Sequence, residues 1–132
     1  MYRNLFVSFL FSSLISFSVY AEGISTHVLD LASGFGGPNI PVVLEKKGED
    51  GLWNRVGSEK TDNNGRVKAF GTNLKLAKGL YRLNFDMTKY SNSKSKPFFP
   101  EMSIVFQVED LNFHYHVPVV VSPYGYSTYR GN

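Results

Sequence analysis

His114-Tyr-His-Val-Pro-Val-Val-Val-Ser-Pro-Tyr-Gly-Tyr-Ser-Thr-Tyr-Arg-Gly-Asn132 closes the sequence and decides how the rest is read. Side chains of a strand alternate between its two faces, so every second residue shares an environment. In His114 to Val121 this puts Tyr115, Val117, Val119 and Val121 on one unbroken apolar face. His114, His116, Pro118 and Val120 share the other. The first face belongs in a core. The second carries two of the three histidines in the chain, beside a terminus rich in tyrosine and ending in Arg130, Gly131 and Asn132.

The same two-residue period recurs upstream. Tyr81, Leu83 and Phe85 alternate with Arg82, Asn84 and Asp86 within Gly79 to Met87, and Ile104, Phe106 and Val108 align within Ser103 to Glu109. Further strands are expected at Ile24 to Leu31, Ile40 to Lys46, Leu52 to Lys60 and Arg66 to Phe70. Pro41 sets the second of these near an edge or at its own beginning. Ser33-Gly-Phe-Gly-Gly-Pro-Asn39, Gly48-Glu-Asp-Gly51 and Thr61-Asp-Asn-Asn-Gly65 punctuate them as loops and turns, the last through Asn-Gly. Thr88 to Lys96 has room for one or two helical turns, which Pro97-Phe-Phe-Pro100 ends. About eight short strands with at most one short helix make an all-β protein, an antiparallel β-sandwich.

Ahead of this domain, Arg3 precedes an apolar run from Leu5 to Phe17, and Val19 and Ala21 are small residues in the positions a signal peptidase reads. Residues 1–21 are therefore expected to be a signal peptide cleaved after Ala21, with 22–132 as the mature domain in a periplasmic or secreted location. The run is shorter than the ~20 apolar residues of a spanning helix, so no membrane association is expected after cleavage. The formal net charge is +3 with Arg3 included, too mild and too scattered for nucleic acid. With no cysteine, the domain depends on packing and on association for its stability.

Candidate chemistry rests on His27, His114 and His116. A His-x-His pair with a third histidine has the donors of an open zinc site. The same residues suit metal-free base catalysis if an imidazole is neutral near pH 7 and a fixed cation, Arg66 or Arg130, faces the developing oxyanion. Spacing leaves both open, beside the plain reading of surface histidines.

Longer words narrow the choice. Ser25-Thr-His-Val-Leu-Asp30, Thr61-Asp-Asn-Asn-Gly-Arg66, Phe98-Phe-Pro-Glu101 and Ser122-Pro-Tyr-Gly-Tyr-Ser-Thr-Tyr-Arg-Gly131 closely resemble the transthyretin-like family, in particular its 5-hydroxyisourate hydrolase branch. The resemblance runs from Ile24 to Asn132. Histidines in the first and last strands and a terminal Tyr-Arg-Gly mark the enzymes of that family, and His27, His114, His116 and Tyr129-Arg130-Gly131 match them. Asn132 replaces the usual terminal serine, and Gly36 stands where proline is common.

The resemblance implies hydrolysis of 5-hydroxyisourate, with His27 and His116 as base and acid and Arg66 holding the substrate and stabilising negative charge. His27 and Arg66, with Tyr129 and Arg130 closing the site, would bind the substrate, and His114 would stand behind or outside it. It implies no metal and no organic cofactor. It also implies a homotetramer, a dimer of dimers with its sites in a channel between subunits. The alternative on this fold is a non-enzymatic binding protein for a small aromatic ligand in the same channel.

Overall fold

The computed structural model describes residues 23–71, 73–90 and 96–132. The expected signal peptide lies outside the described residues, as does most of the segment expected to hold a helical turn. Among the described residues, Thr88 and Lys89 form a turn rather than a helix.

Among the described residues, nine strands make two packed sheets: β1 Gly23–Asp30, β2 Phe35–Gly36, β3 Pro41–Lys47, β4 Trp53–Lys60, β5 Arg66–Val67, β6 Gly79–Asp86, β7 Glu101–Val108, β8 His114–Ser122 and β9 Gly125–Thr128. The sandwich and its approximate strand count are as expected. One sheet runs β4-β3-β6-β7 and is antiparallel throughout. The other runs β2-β1-β8-β9, with β5 also paired to β1.

Four details depart from the sequence reading. β1 and β8 pair in parallel, so the sandwich is not wholly antiparallel. The expected last strand is followed by β9, which folds back after Pro123 and Tyr124. The strand expected at Arg66 to Phe70 stops at Val67, and Phe70 is buried beyond it. The glycine-rich loop contains β2, a two-residue strand. Both short strands lie against β1, and neither is long enough to show a side-chain period. Pro41 does open its strand, where its missing N–H costs no interior ladder bond.

The core forms where the two inner faces meet. β8 contributes the four residues read as apolar, Tyr115, Val117, Val119 and Val121, and β1 contributes Ile24 and Val28. Val42, Leu44, Tyr81, Leu83, Phe85, Met102, Ile104 and Val108 fill the opposing side. Apolar burial of this kind stabilises a domain by about 25 cal/mol per Å². Polar groups taken inside are bonded. Thr26 Oγ1 donates to Val117 O at 2.6 Å, and the Asp30 carboxylate accepts from Tyr90 Oη at 2.5 Å and from Ala32 N at 2.8 Å.

For the site, the parallel ladder matters most. Its register sets Ser25 opposite His116 and His27 opposite Pro118. On the other side of β1, His27 is the ladder partner of Arg66. Three segments distant in sequence thus turn polar side chains to one outer face of the sheet.

Candidate active site

Arg66 is presented by a turn whose geometry follows from its sequence. The Asp62 carboxylate accepts the amides of Asn64 and Arg66, each at 2.9 Å, as a short acidic side chain readily does two residues back from a turn. Gly65 closes the turn at φ 77, in the left-handed region that favours glycine. Its amide donates to Asp62 O, and the Asp62 amide donates to Arg66 O. A side chain at 65 would run into the carbonyl of Val28 and the Cα of Gly36, so the turn sits flush on the first strand. The Arg66 side chain, fixed at its root, remains exposed.

His116 extends from β8 towards the same place. Arg66 and His116 line one open cavity with Ser25, Thr26, Val67, Lys68, His114 and Asn132. Two cations, two imidazoles and a hydroxyl thus share a wall. Burial first, and then the positive charge of Arg66, push the His116 pKa below its ordinary value, with His114 and His27 adding to the effect. The ring is therefore neutral at pH 7, the form that accepts a proton.

His27 stands on β1 beside this cavity and is not part of its lining. Its Nε2 is 3.0 Å from the backbone oxygen of Asn64. A carbonyl only accepts, so Nε2 carries the hydrogen and the neutral ring has its lone pair on Nδ1. Burial and then Arg66 lower its pKa too, opposed by the Asn64 bond and by Asp62. The arginine that suits an oxyanion thus adds to burial in holding both histidines unprotonated.

Tyr129 and Arg130 lie elsewhere in the single chain. They line a neighbouring cavity with Ile104, Val105, Phe106, Gln107, Tyr115, Val117 and Thr128, and His116 is the wall common to both spaces. The Arg130 guanidinium sits 5.5 Å from the centre of the Tyr115 ring, and Tyr129 is exposed. The end of the chain is nonetheless tied to the site. Gly131 N donates to His116 O at 2.8 Å, Thr128 Oγ1 donates to Pro118 O at 2.8 Å, and Asn132 reaches the first cavity.

Nothing in the sequence gave an individual role to Ser25, Lys68 or Gly131, although Ser25 and Gly131 fall within the family motifs. Ser25 Oγ is 2.7 Å from His116 Nδ1 and 2.7 Å from His114 Nε2, so His114 is coupled to the site instead of being a bystander. Only the serine's place two residues before His27, on the same face of β1, hinted at this. Among the described residues, no group of three or more His, Cys, Asp or Glu side chains is arranged to hold a metal ion.

Known proteins with this architecture include both transthyretins and 5-hydroxyisourate hydrolases. The chain superimposes on sea bream (Sparus aurata) transthyretin with a TM-score of 0.75 at 26% identity, covering 82% of this chain and 95% of that one. It superimposes on 5-hydroxyisourate hydrolase from Klebsiella pneumoniae with a TM-score of 0.69 at 29% identity, covering 83% and 98%. In sequence it is 43% identical over 110 residues to the 5-hydroxyisourate hydrolase of Salmonella typhimurium, covering 83% of this chain and 80% of that protein. Residues 24–131 match the HIUase/Transthyretin family as a whole, and the chain belongs to that family.

Proposed function

We infer that the protein is a 5-hydroxyisourate hydrolase, and the observation that carries the reading is the joint cavity of Arg66 and His116. Backbone similarity does not separate hydrolases from transthyretins, because both superimpose. The side chains do. A neutral imidazole sharing a cavity with a guanidinium is an arrangement for activating water and receiving negative charge, and it is unnecessary for holding an apolar ligand. The sequence relatives named as hydrolases, at 36–43% identity, point the same way.

In the proposed reaction, Arg66 pairs with the anionic, urate-derived ring through its planar donors. His116, or His27 beside it, takes a proton from water as the oxygen attacks a ring acyl carbon. The C=O bond opens to a tetrahedral oxyanion next to Arg66 and Lys68. When the intermediate collapses, the bond from that carbon to the ring nitrogen breaks, and the proton held by the imidazole goes to the departing nitrogen. Asn132 supplies donor and acceptor groups to the same cavity. Tyr129 and Arg130 close the opposite side of His116.

A homotetramer is part of the proposal. β7 and β9 are the end strands of their sheets, and unpaired edges of this kind invite a partner. Facing copies would then turn the open cavities into a channel. Export is proposed from Arg3, the Leu5 to Phe17 run and Ala21, and N-terminal sequencing of the exported protein checks it.

The function is tested by adding the purified protein to freshly generated 5-hydroxyisourate and following its absorbance. Decay well above the spontaneous rate, abolished in His116→Ala with the assembly intact, supports the enzyme. Decay at the spontaneous rate would leave the binding protein as the better reading. Sedimentation of the same sample reports the oligomer.

A further inference from the structure

Ser25 is the least conspicuous member of the site and the most constrained. It is buried on the outer face of β1, in ladder register with His116, and its single hydroxyl touches two imidazoles. The distances are 2.7 Å to His116 Nδ1 and 2.7 Å to His114 Nε2. A serine hydroxyl has one hydrogen to give and lone pairs with which to accept. It cannot donate to both rings, so where it bridges them it donates to one while the other donates to it. Two directions are open to the chain, and they leave His116 in different states.

If Ser25 gave its hydrogen to His116 Nδ1, neutral His116 would carry its proton on Nε2 and have no lone pair facing the cavity. Moreover, once His116 became an imidazolium both nitrogens would bear hydrogens, and that bond would have to break. The opposite direction has neither defect. His116 Nδ1–H donates to Ser25 Oγ, Ser25 O–H donates to His114 Nε2, and the Nε2 lone pair of His116 is available. When Nε2 takes up a proton the two hydrogen bonds stay as they were. They need no rearrangement when the proton is passed on. The second direction alone serves a base that must later act as an acid.

We propose that Ser25 and His114 are positioning residues that fix the tautomer of His116, through the chain His116 Nδ1–H to Ser25 Oγ and Ser25 O–H to His114 Nε2. The proposal deepens the hydrolase reading and rests on it for its kinetic part, whereas the tautomer is a property of the free protein. The register of the parallel β1–β8 pair makes the chain possible, since it sets Ser25 beside His116 and within reach of the residue two before it. Ser25 does not touch the reacting atoms. It decides which nitrogen of His116 does.

The experiment is nitrogen-15 NMR of the histidine rings in the full protein without substrate, alongside steady-state kinetics. His116, assigned by its disappearance in His116→Gln, should show a protonated Nδ1 and an unprotonated Nε2 above its pKa. In Ser25→Ala it should shift towards the Nε2–H form, and Ser25→Thr, which retains a hydroxyl, should restore the wild-type pattern. His114→Phe removes the acceptor at the far end without touching His116 and should move the tautomer in the same direction. In turnover, Ser25→Ala should lower kcat by about 100-fold, on the scale of losing an effective general base, with little change in KM. An Nε2–H tautomer in the wild type, or a tautomer unaffected by both Ser25→Ala and His114→Phe, overturns the proposal. Absence of hydrolysis by the wild-type protein would instead overturn the hydrolase reading, and the NMR result would still decide the hydrogen-bond chain.

Discussion

His27 and Arg66 are ladder partners between β1 and β5, and Arg66 lowers the pKa of His27 as well as that of His116 on the other side of β1. For both rings burial is the larger cause and the guanidinium the second. A lowered histidine pKa means that the basic form persists to more acid pH. The acid limb of kcat/KM is therefore expected below the ordinary histidine value of about 6.5. In Arg66→Gln that limb should move to higher pH, and kcat should fall by about 10²- to 10³-fold for loss of the oxyanion's cation. The pH–rate profiles of the two proteins check both statements. Stability follows the same sign. The unfolded chain binds these protons more readily, so the contribution is whole above about 6.5 and declines as pH falls towards the lowered native values.

Gly131 is packed on the base. A Cβ there would lie 2.5 Å from His116 Cδ2 and 2.9 Å from Pro118 Cγ, so the imidazole would have to move. Gly131→Ala is expected to reduce kcat by about 10- to 100-fold, the effect of displacing a reacting group by a fraction of an ångström to an ångström. Its melting temperature should hardly change, because position 131 belongs to the outer surface and not to the core. Paired kinetic and thermal measurements on one preparation separate the two effects.

The core-facing residues of β8 were legible because alternation is a local property. Tyr115, Val117, Val119 and Val121 announce their common face within seven residues, and all are at most 7% exposed. The parallel β1–β8 pairing was not legible, since it is set by how the two sheets close and not by either strand. β2 escaped notice as a strand for another reason, because two residues show no period, and β5 was expected but drawn too long, to Phe70 instead of Val67. The same distinction explains the site. His27, Arg66 and His116 stood out by residue type and by family motif, and they do gather around the β1–β5 and β1–β8 ladders. Ser25 is an ordinary residue until the register places its hydroxyl between two imidazoles. Tyr129 and Arg130 adjoin Gly131 in sequence, yet they line the space on the other side of His116.

The turn that carries Arg66 gives a second mutational test. Gly65 combines a φ of 77 with backbone contacts that a Cβ would violate, whereas Gly51 has a φ of 79 and nothing within 4 Å of an added Cβ. Conformational strain alone amounts to about 1–3 kcal/mol. Gly51→Ala should lose about that much stability and retain full activity. Gly65→Ala should lose more, because Val28 and Gly36 must also give way, and it should lose activity as Arg66 is displaced. Chemical denaturation with parallel assays distinguishes them, and equal losses for both variants would argue against the close packing of this turn.

Tyr115, at the start of β8, ties the loop that follows β7 to the core through its hydroxyl. Its ring is buried, and its Oη donates to Asp110 O at 2.9 Å while accepting from Asp110 N at 3.0 Å and from Glu109 N at 3.2 Å. The loop that follows β7 is thus fastened by one side chain just before the segment bearing His114 and His116. Tyr115→Phe keeps the ring, its packing and the surface it offers to Arg130, and removes only these bonds. Net hydrogen bonds contribute about 0.5–1.5 kcal/mol each, and leaving buried partners unmet costs more. A loss of about 1–3 kcal/mol is therefore expected in denaturant unfolding. Hydrogen exchange should quicken at the amides of Glu109 and Asp110, while amides in the centre of β6 keep their protection. If exchange rose equally throughout the molecule, the hydroxyl would be acting on global stability and not on this loop.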